Sequence, residues 1–316
     1  MLTKNIKLYF PPINKLGNNV FRNLLLKYKC DFVFTEMIRI EKILELEQHQ
    51  LKKLKIDENK INQTFIQILS ENENNIEKGI DLIMKLNPNI KEINYNMGCP
   101  QSSLCKNENG CGITNNPNKI KAVSIKLKKA CDKYNIIPSI KIRLGLTRNN
   151  ITIYDNINIF KQIGINKIYI HGRTLSDTYN KPATYEEIKK IKLENPNMEI
   201  IGNGDVKDLN SLNNILKTNC DGILIGRAAL ENPNIFQKLK QNNFKKYKSG
   251  IKLKYKKQIL IDFINLAKED NDISISQIKA NINYITKNTI NSSKFRKQIN
   301  NSKDIINIEK KILDIN

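Results

Sequence analysis

A thiol stands where an apolar run ends, in the segment Asn-Met-Gly-Cys-Pro at residues 96–100. A glycine and a proline restrict the backbone on either side of Cys99, whereas a purely structural cysteine lies more often inside a strand. Free thiols are mostly protonated near neutral pH, and a protonated thiol can donate its proton as readily as its thiolate can attack. Cys99 is therefore the candidate reactive residue.

Cys105 and Cys111 follow Cys99 at equal spacing. Three thiols six residues apart match no ordinary zinc or iron–sulfur pattern, and the sequence offers no fourth ligand. We therefore predict no metal site, although a three-cysteine site stays open as the less supported alternative. A long chain without a secretory signal does not predict a disulfide framework. The remaining cysteines are interpreted as small core residues: Cys30, Cys131 and Cys220.

Charged and polar residues interrupt other apolar runs. Lys141 lies in Ser-Ile-Lys-Ile-Arg-Leu-Gly, residues 139–145, where an unpaired buried ammonium would be costly, so it predicts an anionic ligand. His171 ends another run and is one of only 2 histidines, whereas His49 lies in a charged stretch and is expected at the surface. Gln67, inside a third run, has either a structural or a ligand-binding explanation.

Two glycine-containing turns predict a phosphate site. Asn203, Gly204 and Asp205 follow one apolar run, and Gly226 with Arg227 follows the next. Backbone N–H groups and helix N-termini at such turns bind phosphate, which points to a phosphorylated ligand such as a mononucleotide cofactor. The chain contains no GxGxxG segment, so the dinucleotide fingerprint of an open doubly wound sheet is missing.

Eight strand–helix units predict a closed (β/α)8 TIM barrel of class α/β. At the carboxyl ends of such strands the polar residues described above would meet in one mouth. The strands are predicted at residues 6–13, 31–37, 64–69, 92–97, 138–144, 167–171, 199–203 and 222–225. The helices are predicted at residues 19–28, 75–86, 120–134, 156–163, 185–193 and 209–218.

The alternation of strand-like and helix-like segments ends near residue 244. This change predicts two domains, a barrel over residues 1–244 and a helical domain over residues 245–316. Residues 245–254 are basic and contain a glycine, which is typical of a linker. The following segments have helical periodicity and no strand signal, so a small C-terminal helical bundle is expected. They are residues 258–269, 274–287, 293–300 and 304–313.

Net charge is the strongest feature of the composition. The chain of 316 residues has 53 Lys plus Arg against 31 Asp plus Glu, a net charge of +22. Such an excess favours a polyanionic partner, usually nucleic acid, although an AT-rich genome would also enrich lysine. No apolar run is long enough to cross a bilayer and the N-terminus lacks a secretory pattern, so we expect a cytoplasmic protein without membrane association. Nothing indicates a stable protein partner.

These motifs, in this order, resemble the tRNA dihydrouridine synthase family. The resemblance covers residues 9–239 and, more weakly, the helical tail. Its most specific part is Asn-Tyr-Asn-Met-Gly-Cys-Pro at residues 94–100. Four further segments match with compatible spacing, at residues 139–145, 171–174, 202–205 and 225–229.

The resemblance implies an FMN-dependent barrel that reduces the C5–C6 double bond of selected uridines in tRNA, with NADPH as the reductant. Cys99 would be the general acid that protonates C5, while Asn96 and Arg173 would face the uridine. The C-terminal helical domain would bind tRNA, mainly through phosphates. The resemblance implies the following cofactor-binding residues: Pro12, Ile13, Asn14, Gln67, Lys141, His171, Asn203, Gly204, Asp205, Gly226 and Arg227.

Two alternatives compete with this function. The first is a small-molecule FMN oxidoreductase on the same barrel, of the dihydroorotate dehydrogenase type, which would share the phosphate site but not explain a basic helical tail. The second is a tRNA-binding protein whose flavin chemistry has lapsed. Bound flavin would argue against the second, and dependence of activity on the tail would argue against the first.

Overall fold

The computed structural model describes residues 6–242 and 250–315. Its centre is a closed barrel of eight parallel strands, in which β1 pairs with β8 and β2, and the pairing of β2 with β3 closes the sheet. The strands are β1 Lys7–Phe10, β2 Phe32–Phe34, β3 Thr64–Leu69, β4 Glu92–Met97, β5 Ile137–Arg143, β6 Lys167–His171, β7 Glu199–Asn203 and β8 Gly222–Leu224.

Helices follow the strands and cover the outside of the barrel, as the strand–helix alternation predicts. They bury isoleucine- and leucine-rich faces against the outward side chains of the strands. The helices are α1 Asn19–Lys27, α2 Ile40–Leu44, α3 Ile76–Leu86, α4 Pro117–Lys133, α5 Ile153–Ile163, α6 Glu186–Glu194, α7 Leu209–Leu216 and α8 Ile235–Lys240.

The barrel interior is closed on its N-terminal side by aromatic rings around one ion pair. Tyr9 and Tyr169 meet edge to face with ring centroids 5.6 Å apart. The Lys167 ammonium lies 2.9 Å from a Glu92 oxygen and above the Tyr9 ring. Within the described residues, this packing fills the N-terminal side of the barrel, and a cavity opens at the opposite mouth, at the carboxyl ends of the strands.

The structure differs from the sequence prediction at the end of β1 and in several short elements. Strand β1 ends at Phe10, before two prolines, because proline offers no N–H for a ladder hydrogen bond. The prediction of strand up to residue 13 was therefore wrong. Other unpredicted elements are a hairpin of Gly145–Thr147 with Asn150–Ile151, strand Ile38–Arg39, helices Gln48–Leu51, Ser102–Lys106 and Arg227–Glu231, and 3-10 turns at Lys52–Leu54, Glu58–Gln63, Glu73–Asn75, Gly110–Asn115 and Leu253–Lys256.

The C-terminal region is helical, with α9 Lys257–Glu269, α10 Ile275–Ile285, α11 Ser292–Asn301 and α12 Ile305–Leu313. The expectation of no strand was wrong, since Ile251–Lys252 pairs in parallel with Thr289–Ile290. Part of the predicted linker is therefore ordered in a strand. The predicted boundary between residues 244 and 245 lies outside the described residues.

Helix α10 is tied to the barrel by buried polar contacts. The Asn281 side chain accepts a 2.7 Å hydrogen bond from Asn18 and donates to the Leu16 carbonyl at 2.9 Å. On α9, Asp262 pairs with Lys27 of α1 at 2.8 Å. These contacts fix the tail against the barrel. Among the described residues, no helix combines the length and apolar character needed to cross a membrane.

Candidate active site

A cavity of about 810 Å3 opens at the carboxyl ends of the barrel strands. Every residue that the sequence placed at a site lies in its wall, so the barrel brings together side chains from distant parts of the chain. Those residues are Pro12, Ile13, Asn14, Gln67, Asn96, Cys99, Lys141, His171, Arg173, Asn203, Gly204, Asp205, Gly226 and Arg227.

Cys99 lies in the loop that follows β4, partly buried and accessible from the cavity. It packs against an apolar cluster of Met37, Leu69 and Leu104. Its carbonyl accepts the Cys111 N–H at 2.9 Å, which folds residues 99–111 back on themselves. Gly110 permits this fold at φ +55°, because a Cβ there would lie 2.7 Å from the Cys99 carbonyl oxygen.

Asn96 fixes the start of the Cys99 loop. Its side-chain oxygen accepts the backbone N–H groups of Gly98 at 2.9 Å and Cys99 at 3.0 Å. Its amide nitrogen donates to Gln67 at 2.9 Å and to the Met37 sulfur at 3.1 Å. The polar atoms of Asn96 are thus all used by the protein, and its predicted contact with a uridine stays a prediction.

Lys141 is a cation without a carboxylate partner in the described part of the chain. Its side chain projects from β5 into the cavity wall. Burial lowers its pKa to about 8, and neighbouring Arg143 acts in the same direction. A site that keeps such a group gains from an anionic ligand, which would compensate the lost hydration.

His171 and Arg173 form a second part of the wall. Burial lowers the pKa of His171 well below its ordinary value, and the surrounding cations Lys141 and Arg143 add to that effect. A guanidinium only donates, so the 3.2 Å contact with Arg173 makes His171 Nε2 an acceptor and leaves the proton on Nδ1. His171 is therefore a neutral imidazole in this wall.

Arg173 is 1% exposed and is held by protein acceptors. Its guanidinium binds Asp205 at 2.7 Å and donates to the Lys181 carbonyl at 2.6 Å. The structure thus places Arg173 beneath the loop after β7, with its donors occupied. The predicted contact of Arg173 with a uridine stays a prediction.

Asp205 links the two glycine turns. Partial burial alone would raise its carboxyl pKa, but the Ala183 N–H bond and the guanidiniums of Arg173 and Arg227 outweigh burial and hold the pKa below its ordinary value. Arg227 reaches Asp205 at 2.6 Å and lies 4.3 Å from the ring centroid of Tyr179. Gly204 adopts φ +146°, and a Cβ there would come within 2.5 Å of the Ala183 Cβ. The loops after β7 and β8 are thus joined beside Arg227.

The sequence missed several wall residues. Arg143 bridges two loops, since it donates to the Gly98 and Thr174 carbonyls at 2.9 Å each; its place in an apolar run was a signal for it. Tyr179 is 58% exposed and lies in a loop with no periodicity to mark it. Lys287 and Asn288 reach the cavity from the tail, and no local pattern could have placed them there.

The other cysteines do not line the cavity, although Cys105 and Cys111 share the Cys99 loop. Cys30, Cys131 and Cys220 are buried, as predicted, and all six cysteines are free thiols. Cys111 is fully buried, which raises its pKa to about 12. In the described ranges, no three His, Cys, Asp or Glu side chains are grouped so that they could hold a metal ion.

The protein is thus a closed (β/α)8 barrel whose mouth combines cations, glycine turns and an accessible thiol, the place where enzymes of this fold carry their active sites. The family described as dihydrouridine synthase matches residues 10–315. The chain belongs to the dihydrouridine synthase family, and it is an oxidoreductase by that membership.

Proteins named as tRNA-dihydrouridine synthases in several organisms are similar to the chain. It is 28% identical over 233 residues to tRNA-dihydrouridine synthase B of Pasteurella multocida, covering 73% of this chain and 68% of the relative. A probable tRNA-dihydrouridine synthase of Helicobacter pylori is 26% identical over 315 residues, 98% and 92% of the two chains. A tRNA-dihydrouridine(47) synthase [NAD(P)(+)]-like protein of Xenopus tropicalis is 26% identical over 237 residues, 74% of this chain and 36% of the relative.

Proposed function

We propose that the protein reduces the C5–C6 double bond of specific uridines in tRNA, with FMN as its resident cofactor and NADPH as the reductant. The observation that carries the proposal is the convergence of Cys99, Lys141 and Arg227 on one cavity. The relatives are named as tRNA enzymes, and one name includes NAD(P). Because tRNA and NADPH are both present in the cytoplasm, we expect the protein to act there.

The residues of the cavity fit a flavin mononucleotide. A volume of about 810 Å3 lies within the usual range for a site that buries a cofactor. Lys141 and Arg227 supply positive charge for a phosphate, and the turn at Gly204 is too tight for a side chain. Pro12, Ile13 and Asn14 form an uncharged part of the wall, suited to the face of a planar ring system.

The chain's own residues would bind FMN, orient the reacting groups and protonate the uracil. FMN, when bound, supplies the hydride that adds to C6 of the uracil. Cys99 donates its thiol proton to C5, so that one hydride and one proton together saturate the double bond. Asn96 holds the loop that presents the thiol. A uracil must leave its stack to enter the cavity, since a base within a helix is inaccessible.

The tail, residues 245–316, is proposed to bind tRNA. Lys287 and Asn288 follow α10 and lie at the cavity rim, so the tail contributes directly to the entrance. Lys287 is exposed, and its ammonium lies 5.5 Å from the ring centroid of Tyr284. A cation beside an exposed aromatic ring is suited to a sugar–phosphate backbone that leads into the mouth.

The purified protein tests this proposal directly. It should show a flavin absorption spectrum, and with NADPH it should convert uridine to dihydrouridine in unmodified tRNA, as detected by nucleoside mass spectrometry. Reduction of free uridine or another small molecule, but not tRNA, would favour the small-molecule oxidoreductase. Binding of tRNA without flavin or turnover would favour a lapsed enzyme.

A further inference from the structure

A chain of side-chain hydrogen bonds runs through the barrel interior beneath the cavity. It starts at the Cys99 loop and ends at the ion pair on the closed side of the barrel. We name it the amide relay, and its members are Asn96, Gln67, Asn94, Ser139 and Glu92. All five are 9% exposed or less, so water does not compete for these bonds.

The direction of the first bonds is set by the backbone. The N–H groups of Gly98 and Cys99 can only donate, so the atom of Asn96 that they contact is its oxygen. The amide nitrogen of Asn96 must then donate to the oxygen of Gln67, at 2.9 Å. No flipped assignment of either amide satisfies these contacts.

The remaining bonds follow the same direction. Since the oxygen of Gln67 is an acceptor, its nitrogen donates to Asn94 Oδ1 at 2.7 Å. Asn94 in turn donates to Ser139 Oγ at 2.8 Å, and the Ser139 hydroxyl donates to Glu92 at 2.6 Å. Every donor points from the Cys99 loop toward the carboxylate, and aligned bonds of this kind polarise one another.

Glu92 is a fixed end of the relay. Lys167 lies 2.9 Å from its second oxygen, and the Tyr169 hydroxyl donates to its first at 2.8 Å. Lys167 also contacts Glu199 at 3.1 Å, which places the anchor in the framework of three strands. Because a carboxylate oxygen accepts, the Ser139 hydroxyl donates to Glu92 and its oxygen then accepts from Asn94, which agrees with the direction set at the Cys99 loop.

We propose that the amide relay is a positioning device for the Cys99 loop and fixes Gln67 as a hydrogen-bond donor toward the cavity. The Gln67 nitrogen makes one hydrogen bond in the described part of the structure, which leaves a second N–H for an acceptor atom of the ligand. The relay makes Ser139 and Asn94, which do not line the cavity, positioning residues. The proposal has two halves. The ligand half, in which Gln67 donates to a ligand, rests on the function proposed above. The loop half, in which the relay positions the Cys99 loop, does not rest on it.

Ser139→Ala tests the relay by removing its last donor. Ser124→Ala is the matched control, because Ser124 is equally buried and its hydroxyl makes no hydrogen bond to another described residue. In FMN-free protein, site-resolved mass spectrometry measures alkylation of Cys99 by iodoacetamide. Ser139→Ala should raise the Cys99 rate severalfold, and Ser124→Ala should leave it unchanged. Equal Cys99 rates in the two variants would overturn the loop half.

FMN affinity tests the ligand half. The dissociation constant, from quenching of flavin fluorescence, should rise about tenfold in Ser139→Ala and stay unchanged in Ser124→Ala. An unchanged constant in Ser139→Ala would overturn that half. If the wild-type protein binds no FMN, the proposed cofactor is wrong, and the alkylation result still decides the loop half.

Hydrogen exchange in the wild-type protein covers the case in which Ser139→Ala does not fold. The relay requires slow exchange at the Gly98 and Cys99 amides in FMN-free protein, because both donate to Asn96. Exchange at the rate of an unstructured loop would contradict the proposal without any substitution.

Discussion

Individual side chains at the mouth differ in how their charge is compensated. Arg173 is buried beside Asp205, whereas Lys141 has no carboxylate partner in the described ranges. An ammonium without a carboxylate partner in a desolvated wall destabilises the fold. Proteins keep such a destabilising charge at sites where it binds a ligand. Lys141 is therefore the residue where stability and binding conflict most directly.

Lys141→Met should stabilise the FMN-free protein at pH 7. The folded-state pKa of Lys141, about 8, lies below the ordinary 10.5, so the charged form opposes folding at neutral pH. Its removal should raise the free energy of unfolding by on the order of 1–3 kcal/mol, while FMN affinity falls. Chemical denaturation checks this, with the exposed Lys85→Met as the control. Loss of stability in Lys141→Met would contradict this account.

FMN affinity should fall as the pH rises above about 8. Below that pH Lys141 is protonated and attracts the phosphate; above it the free protein loses the charge, and affinity drops by up to roughly tenfold per pH unit. Fluorescence titrations at pH 7 and pH 9 measure the effect. Lys141→Met should show a flat profile over this range, and a flat wild-type profile would count against the Lys141–phosphate contact.

Cys99→Ala should separate cofactor chemistry from proton transfer. The variant should retain FMN and its reduction by NADPH, because the thiol takes part in neither step. Turnover on tRNA should fall by roughly 10²–10⁴-fold, the range for a lost general acid. Stopped-flow absorbance follows flavin reduction, and nucleoside analysis follows turnover.

Cys105→Ala is the matched control for Cys99→Ala, since Cys105 is a partly buried thiol in the same loop. It should keep near wild-type turnover, because its sulfur contacts the backbone of its own loop, including the Cys99 carbonyl at 3.4 Å, and does not line the cavity. A wild-type rate in Cys99→Ala would refute the proposed acid, whatever Cys105→Ala does.

Single elements gain their function from the contacts that orient them. Helix α10 begins with a capping box at Ser274 and Gln277 and carries Lys287 and Asn288 just beyond its C-terminal end. Its orientation depends on Asn281, which is fully buried and bridges to Asn18 and Leu16 of the barrel. A small tilt of α10 at this contact would move the rim residues at its far end.

Asn281→Ala should weaken both folding and tRNA use. The change leaves the Asn18 amide and the Leu16 carbonyl without a partner, at a cost of about 1–3 kcal/mol in stability. KM for tRNA should rise while FMN affinity is unchanged. Thermal denaturation and steady-state kinetics check this against Asn283→Ala, whose side chain bonds to Asn300 within the tail. Equal KM values for the two variants would show that α10 is not positioned by Asn281.

At the scale of the whole molecule, the net charge of +22 and the rim lysine act over different distances. The overall excess attracts a polyanion, and that attraction is screened within about 10 Å at 0.1 M salt. Lys287 acts locally, at the entrance to the cavity. The effect of the overall charge on tRNA affinity can therefore be measured by varying the salt concentration. The effect of Lys287 on positioning can be measured by substitution.

Affinity for tRNA should fall steeply with salt, because released counterions dominate contacts to phosphates. Lys287→Ala should lower the salt slope by about one contact and raise KM for tRNA severalfold. Lys303→Ala, at an exposed lysine of the tail away from the cavity, should change KM little. Filter binding over a range of salt and steady-state kinetics measure both effects; a salt-independent affinity would contradict tRNA binding by phosphates.

The sequence by itself determined the barrel, because alternating apolar runs and amphipathic segments report burial locally, and β3, β4, β6 and β7 begin and end where predicted. It also identified Cys99, Lys141 and His171, since each is chemically out of place in its run. A polar residue in an apolar run is a signal that needs no knowledge of its neighbours.

Only the tertiary structure decided how those residues are held. The direction of the amide relay depends on three strands meeting inside the barrel, and Lys287 reaches the mouth because Asn281 fixes α10 against α1. Tyr179 likewise acquires its place through Arg227, 48 positions later in the chain. These contacts join residues far apart in sequence, and local periodicity carries no record of them, because they arise from packing between elements rather than within one.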